Sequence, residues 1–144
     1  MNHLGLEAAA DWLALAESDR QTAESLQNTK PHIACYLSQQ AAEKAVKALY
    51  VAHNVPFAFT HSIAELIDGL ADQYPPLSAH RSAGVILTLY EVNTRYINLQ
   101  TGINPLKEFR PEDARHAVGL ATGICEACQQ IYGQLVQGHT DPQT

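Results

Sequence analysis

The sequence predicts an all-α protein, an up-and-down antiparallel helical bundle of four long helices plus one short helix. Three observations lead there. Apolar residues recur at steps of three and four through most of the chain, the spacing of helices that bury one side. No stretch alternates apolar and polar residues over a useful length, so nothing reads as a strand. Pro, Gly, Ser and Asn cluster between the periodic stretches and leave connections short enough for antiparallel neighbours.

Taken in order, the first helix is expected over about 6–27, with Trp12, Leu15, Ala16, Ala23 and Leu26 on one face. Asn28 to Pro31 breaks it, with Thr29 as N-cap and Pro31 in the first turn of the next helix. The second helix runs from about Lys30 to His53 and stops before Pro56. Cys35, Ala42, Val46 and Leu49 form its apolar stripe, and Phe57 to Phe59 then lies across the bundle end. Ser62 and Glu65 read as a capping box for the short third helix, whose stripe is Ile63, Leu66, Ile67 and Leu70. Tyr74-Pro75-Pro76 ends it.

Ser78 is expected to cap a long fourth helix reaching about Leu99, with Val85, Ile86, Leu89, Val92, Tyr96 and Leu99 as its apolar face. Gln100 to Arg110 reads as a loop. Pro111-Glu112-Asp113 opens the last helix, because proline suits the first turn and carboxylates suit the positive end of the helix dipole. Ala114, Ala117, Ala121, Ile124, Cys128, Ile131 and Leu135 continue it as a core seam. Residues 1–137 read as a single helical domain and 138–144 as a flexible tail.

Composition narrows the function. A chain of 144 residues with 46% apolar residues can form a core without staples. The net charge of −6, with nine Lys and Arg, disfavours broad attraction to nucleic acid. No apolar run approaches the roughly 20 residues that span a bilayer. With no leader visible and three Cys, the reading is a cytoplasmic protein with reduced thiols and no membrane partner. Cys125 and Cys128 fall mid-helix without further ligands at a zinc-compatible spacing, so they read as small core residues. Tyr90, Tyr96 and Tyr132 read as core or interface aromatics with hydroxyls at an edge. No metal site and no cofactor is expected.

The polar side of the second helix carries the candidate site. Gln40, Glu43, Lys44 and Lys47 crowd together there, and Asn93, Arg95 and Tyr96 would meet them from the fourth helix as a pocket or dimer seam. Lys44 and Arg95 would suit a phosphate and Tyr96 a base. The plain alternative is a solvated face with a Glu43–Lys47 pair worth roughly 0.2–0.5 kcal/mol. His61 reads first as a helix-start residue, since a catalytic imidazole needs an orienting partner.

The chain resembles the HEPN domain family of prokaryotic helical bundles. The resemblance rests mainly on Cys35-Tyr36-x-x-Gln39-Gln40-Ala41-Ala42-Glu43-Lys44-Ala45-x-Lys47-Ala48-Leu49. Trp12-Leu13, Ala16-Glu17-x-Asp19, Thr60-His61, Thr94-Arg95-Tyr96-Ile97 and Glu112-Asp113-Ala114 support it by their order, although the family's Arg-Tyr-Pro element lacks its proline here. The resemblance implies an up-and-down bundle, a homodimer, a nucleotide or RNA ligand, and a small nucleotidyltransferase partner of toxin–antitoxin or regulatory kind. It also implies an alternative, a metal-independent endoribonuclease toxin using an Arg, four to six intervening residues and a His. In such a site the His moves a proton and the Arg stabilises phosphate charge. Counting on from Arg95 gives Gln100, Thr101 and Gly102 rather than a His, whereas Arg110 and His116 fit the spacing. A structural dimer without a ligand is the second alternative.

Overall fold

One helix lies at the centre of the fold. The computed structural model describes residues 5–57 and 59–140, all helix, turn or loop with no strand among them. The helices are α1 (Leu6–Leu26), α2 (Pro31–Ala52), α3 (Ile63–Asp68), α4 (Arg81–Thr88), α5 (Tyr90–Asn93), α6 (Pro105–Glu108) and α7 (Pro111–Thr140). A 3-10 turn over Pro75–His80 leads into α4.

α2 packs against every other α-helix. Its small residues Ala34, Ala41, Ala45 and Ala48 are fully buried and let α1 and α7 approach closely, while Val46 and Leu49 fill the space between. Burying a side chain of that size contributes about 1.5–3 kcal/mol. α1 runs against α2: the Gly5 N–H donates to the Ala52 carbonyl at 2.9 Å. α7 runs against α1, with Arg115 reaching Asn28 (3.4 Å) at one end and the Tyr132 hydroxyl donating to the Leu6 carbonyl (2.9 Å) at the other.

The predicted seam of α7 is buried from Ala114 to Ile131, with Leu135 packed at its edge. Cys125 and Cys128 lie in the core, where burial pushes the Cys125 thiol up to about 12 and Cys128 upward as well. All four residues of the α3 stripe are buried, and Ser62 caps that helix by accepting from the Glu65 N–H at 3.2 Å. Phe57 stacks edge-on with Trp12 and Tyr50 at the bundle end, whereas Phe59 is fully exposed and Ala58 lies outside the described residues.

Several expectations need correction. Leu15 is exposed, and α1 buries Ala9 and Leu13 together with the expected Ala16 and Ala23. The N-cap of α2 is Lys30 rather than Thr29, and α4 starts at Arg81 rather than after Ser78, because Pro75 first draws the chain into the 3-10 turn. α7 continues through Thr140, past Gly138, and 141–144 lie outside the described residues.

The largest correction concerns the fourth helix. It loosens at Leu89, where the N–H bonds to Ile86, three residues back, and it ends at Asn93. The end has local causes. The Thr94 hydroxyl and the Arg95 Nε donate to the carbonyls of Tyr90 and Glu91, both at 2.8 Å, and so occupy acceptors that the next turn would use. Asn98 then accepts from the N–H groups of Gln100 and Thr101 in a turn completed by Gly102 at φ +73°.

The helix is also rotated from expectation. Its inner face is Gly84, Leu87 and, beyond the joint, Thr94. A Cβ on Gly84 would fall 2.9 Å from the Ile63 Cγ2, so this face is chosen by close approach to α3. Most of the predicted apolar face consequently points outward: Val85, Leu89, Val92, Tyr96 and Leu99 are exposed, and Ile86 is half-buried.

Candidate functional site

The motif of α2 turns its polar groups into the protein rather than into water. Gln39 is fully buried and Glu43 is 6% exposed. A carboxylate there needs compensation for its lost hydration, and three donors provide it. Gln39 Nε2 and His61 Nδ1 donate to Glu43 Oε1 at 2.8 and 3.0 Å, and Lys47 Nζ donates to Oε2 at 2.9 Å. Lys47 and Gln39 share the α2 face because they lie one turn to either side of Glu43. His61 arrives from the α3 approach, whose register is set by the Ser62 cap and by the Thr88 hydroxyl bonded to the Ile63 N–H at 3.1 Å.

A second carboxylate completes the cluster from α5. Glu91 accepts from Gln40 Nε2 at 3.2 Å and from the Arg95 guanidinium at 3.1 Å, and His61 Nε2 lies 3.8 Å from it. The Arg95 guanidinium also stacks over Tyr36 and Tyr96, 4.8 and 5.3 Å from the ring centroids. The cluster therefore pins α5 and the α3 approach to α2.

The predicted residues divide accordingly. Gln40, Glu43, Lys47, His61 and Arg95 come together. Tyr96 joins through its ring alone and is largely exposed. Lys44 does not join: it faces α1 and pairs with Asp19. Asn93 is exposed and lines a neighbouring cleft. Glu91 and Gln39 are members that sequence reasoning missed, although the i,i+4 spacings of Glu91 to Arg95 and of Gln39 to Glu43 are visible signals. Arg110 and His116 are both exposed. The Arg110 backbone N–H donates to Asp113 Oδ2 at 2.9 Å and so caps the start of α7, which leaves Arg110 in the coil before that helix and His116 on it.

The cluster is chemically quiet as it stands. Glu43, His61 and Glu91 bring ligand atoms within 4.8 Å of one another. Yet Lys47 and Arg95 already neutralise the two carboxylates, so a divalent cation would have to displace both. Glu43 does orient His61, since a carboxylate can only accept and Nδ1 must donate. The Nε2 then faces the Glu91 carboxylate, which repels a phosphate.

A HEPN domain model matches residues 9–131 of the chain. The protein belongs to the HEPN domain family. No curated protein matches it. Among solved structures, this HEPN domain is similar to TT1696 from Thermus thermophilus, at 27% identity and a TM-score of 0.78, covering 90% of this chain and 98% of that one. It is also similar to ST0689, an archaeal HEPN homologue, at 26% identity and a TM-score of 0.71, covering 86% and 97%. Among the described residues, no helix of this HEPN domain is long and apolar enough to cross a membrane.

Proposed function

We propose that this HEPN domain is an interaction module that works as a homodimer through the outer face of α4, α5 and the loop after them, and that it accompanies a small nucleotidyltransferase. The observation that carries the dimer is the outward apolar stripe. Leu89, Val92, Tyr96, Ile97 and Leu99 are 56–99% exposed along one continuous stretch. A monomer rarely leaves so much contiguous apolar surface in water. Burying it against a second copy recovers the hydrophobic free energy that the fold itself leaves unused. The nucleotidyltransferase is supported by the family likeness alone, and the check is a neighbouring reading frame for such a protein and its co-purification with this one.

Sedimentation equilibrium tests the dimer. The wild type is expected to be dimeric, and Leu89→Glu with Leu99→Glu monomeric with an unchanged far-ultraviolet spectrum. A wild type that stays monomeric at micromolar concentration would sink the reading.

A nucleotide or RNA ligand is a second reading, favoured by the Arg95 guanidinium stacked beside Tyr96 at the rim of this face. Arg95 must leave Glu91 before it can hold a phosphate, which places binding behind dimerisation. Saturable nucleotide binding that is lost in Arg95→Ala would support it. The ribonuclease alternative has less behind it, because the oriented His61 faces a carboxylate and no contact joins Arg110 to His116 among the described residues.

A further inference from the structure

The outward face also carries a charge pattern that the chain does not satisfy internally. A cleft of about 540 Å³ opens between α5, the 96–103 loop and the start of α7. Tyr90, Tyr96 and Phe109 contribute aromatic walls, and Glu108 and Asp113 contribute carboxylates. No Lys, Arg or His lines it. Asp113 accepts from the Arg110 backbone N–H, and neither carboxylate pairs with a basic side chain among the described residues.

The basic residues show the complementary deficit. Arg20, Lys44, Lys47, Arg81 and Arg95 are held in ion pairs within the chain. Lys30, Lys107, Arg110 and Arg115 are in none. Of these, Lys107 and Arg110 stand exposed on the α6–α7 corner, the same short segment whose exposed Glu108 and half-buried Asp113 line the cleft. Lys107 and Glu108 are adjacent on α6, so their side chains leave that helix on different sides.

A two-fold contact can match them, because in such an interface a residue i of one copy meets j of the other and j meets i. We propose that each cleft is closed by a second copy of this chain, whose Lys107 and Arg110 reach the carboxylates of Glu108 and Asp113 while the apolar stripes pack together. This rests on the dimer reading above and assigns that dimer its register. The apolar contact supplies the drive for association, and the charge exchange selects the orientation and disfavours parallel slips that would oppose like charges. The occupant is matched in both respects, since the same copy brings apolar surface for the walls and cations for the acids. The two carboxylates disfavour a phosphate at the Glu108–Asp113 end of the cleft, away from Arg95.

Charge exchange followed by sedimentation equilibrium tests the register. Glu108→Lys alone is expected to weaken the dimer by about tenfold or more, because it sets like charges across the seam. Adding Lys107→Glu or Arg110→Glu to Glu108→Lys is expected to recover most of that loss, with thermal melts showing each variant folded. If Glu108→Lys leaves dimerisation unchanged, or if neither second change restores it, the charge exchange is wrong although the dimer stands. A monomeric wild type removes both proposals. Agmatine, a small aliphatic cation, supplies a separate arm. Saturable binding of agmatine to the intact dimer, abolished by Glu108→Gln, would mean that the cleft stays open to a free ligand and would overturn closure by the second copy.

Discussion

Two surfaces of this HEPN domain invite comparison, the polar side of α2 and the apolar side of α4 and α5. From spacing alone the first should face water and the second the core. In the fold part of the first is covered and the second is not: Gln39 and Glu43 are buried beside the expected stripe of Cys35, Ala42, Val46 and Leu49, and Leu89, Val92 and Leu99 are exposed. The difference lies in what each can find nearby. The α2 groups are buried because they bond one another and His61 and Glu91, and no buried side-chain polar atom among the described residues lacks a partner. The α4 stripe finds nothing in its own chain, because Gly84 and Leu87 have already taken the inner position. A crowded polar face is therefore internal structure here, and an apolar stripe is the surface free to meet a partner.

That contrast can be broken most severely at Glu43. Glu43→Ala would leave the largely buried Lys47 ammonium and the buried Gln39 amide without their acceptor. A loss of about 3 kcal/mol or more is expected in urea denaturation, in keeping with the removal of one partner from a buried pair. A change below about 1 kcal/mol would mean that the cluster is solvated after all. Lys44→Ala sharpens the point on the same helix. The Lys44–Asp19 pair is partly open to solvent, so its removal should cost at most about 1 kcal/mol.

Smaller still is the expected effect of Val92→Ser on the folded monomer. An exposed position should change unfolding free energy within about 0.5 kcal/mol when followed below the dimer dissociation constant. The same substitution should weaken association measurably, which separates an interaction surface from a core.

Acid gives a further check on the bundle end, far from the outward stripe. Burial lowers the pKa of His53, which contacts Tyr74, from its unperturbed value of 6.5. The unfolded chain therefore binds more protons in the interval between the two values. Its contribution to stability is fully present above about pH 6.5 and is lost as pH falls toward the lowered value. His32 is shifted in the same direction by burial and by Lys30. The melting temperature should fall from pH 7.5 to 5.5, and His53→Gln should narrow that fall. An unchanged pH difference in the variant would assign the sensitivity to other groups.

Much of the architecture is legible in the sequence. The α7 seam, the α3 stripe with its Ser62 cap, and the burial of the two α7 cysteines all follow from spacing and local chemistry, because each depends on residues within a turn or two of one another. The candidate site is legible in part. Glu43 with Lys47 is an i,i+4 pair, but His61 lies 18 residues from Glu43 and Gln40 lies 51 from Glu91, and no local rule connects them.

The sequence by itself determined the helical class, most of the helix starts and the family motif of α2. Those depend on backbone hydrogen bonds and short-range side-chain periodicity, which act within one segment. Only the tertiary structure decided that the polar side of α2 is also covered and which side of α4 faces inward. Rotation of a helix about its axis is set by what packs against it: the close approach of Gly84 to Ile63, and the meeting of Glu43 with His61 and of Gln40 with Glu91. An apolar stripe records that some surface must be buried, and it does not record whether the partner is the same chain or another.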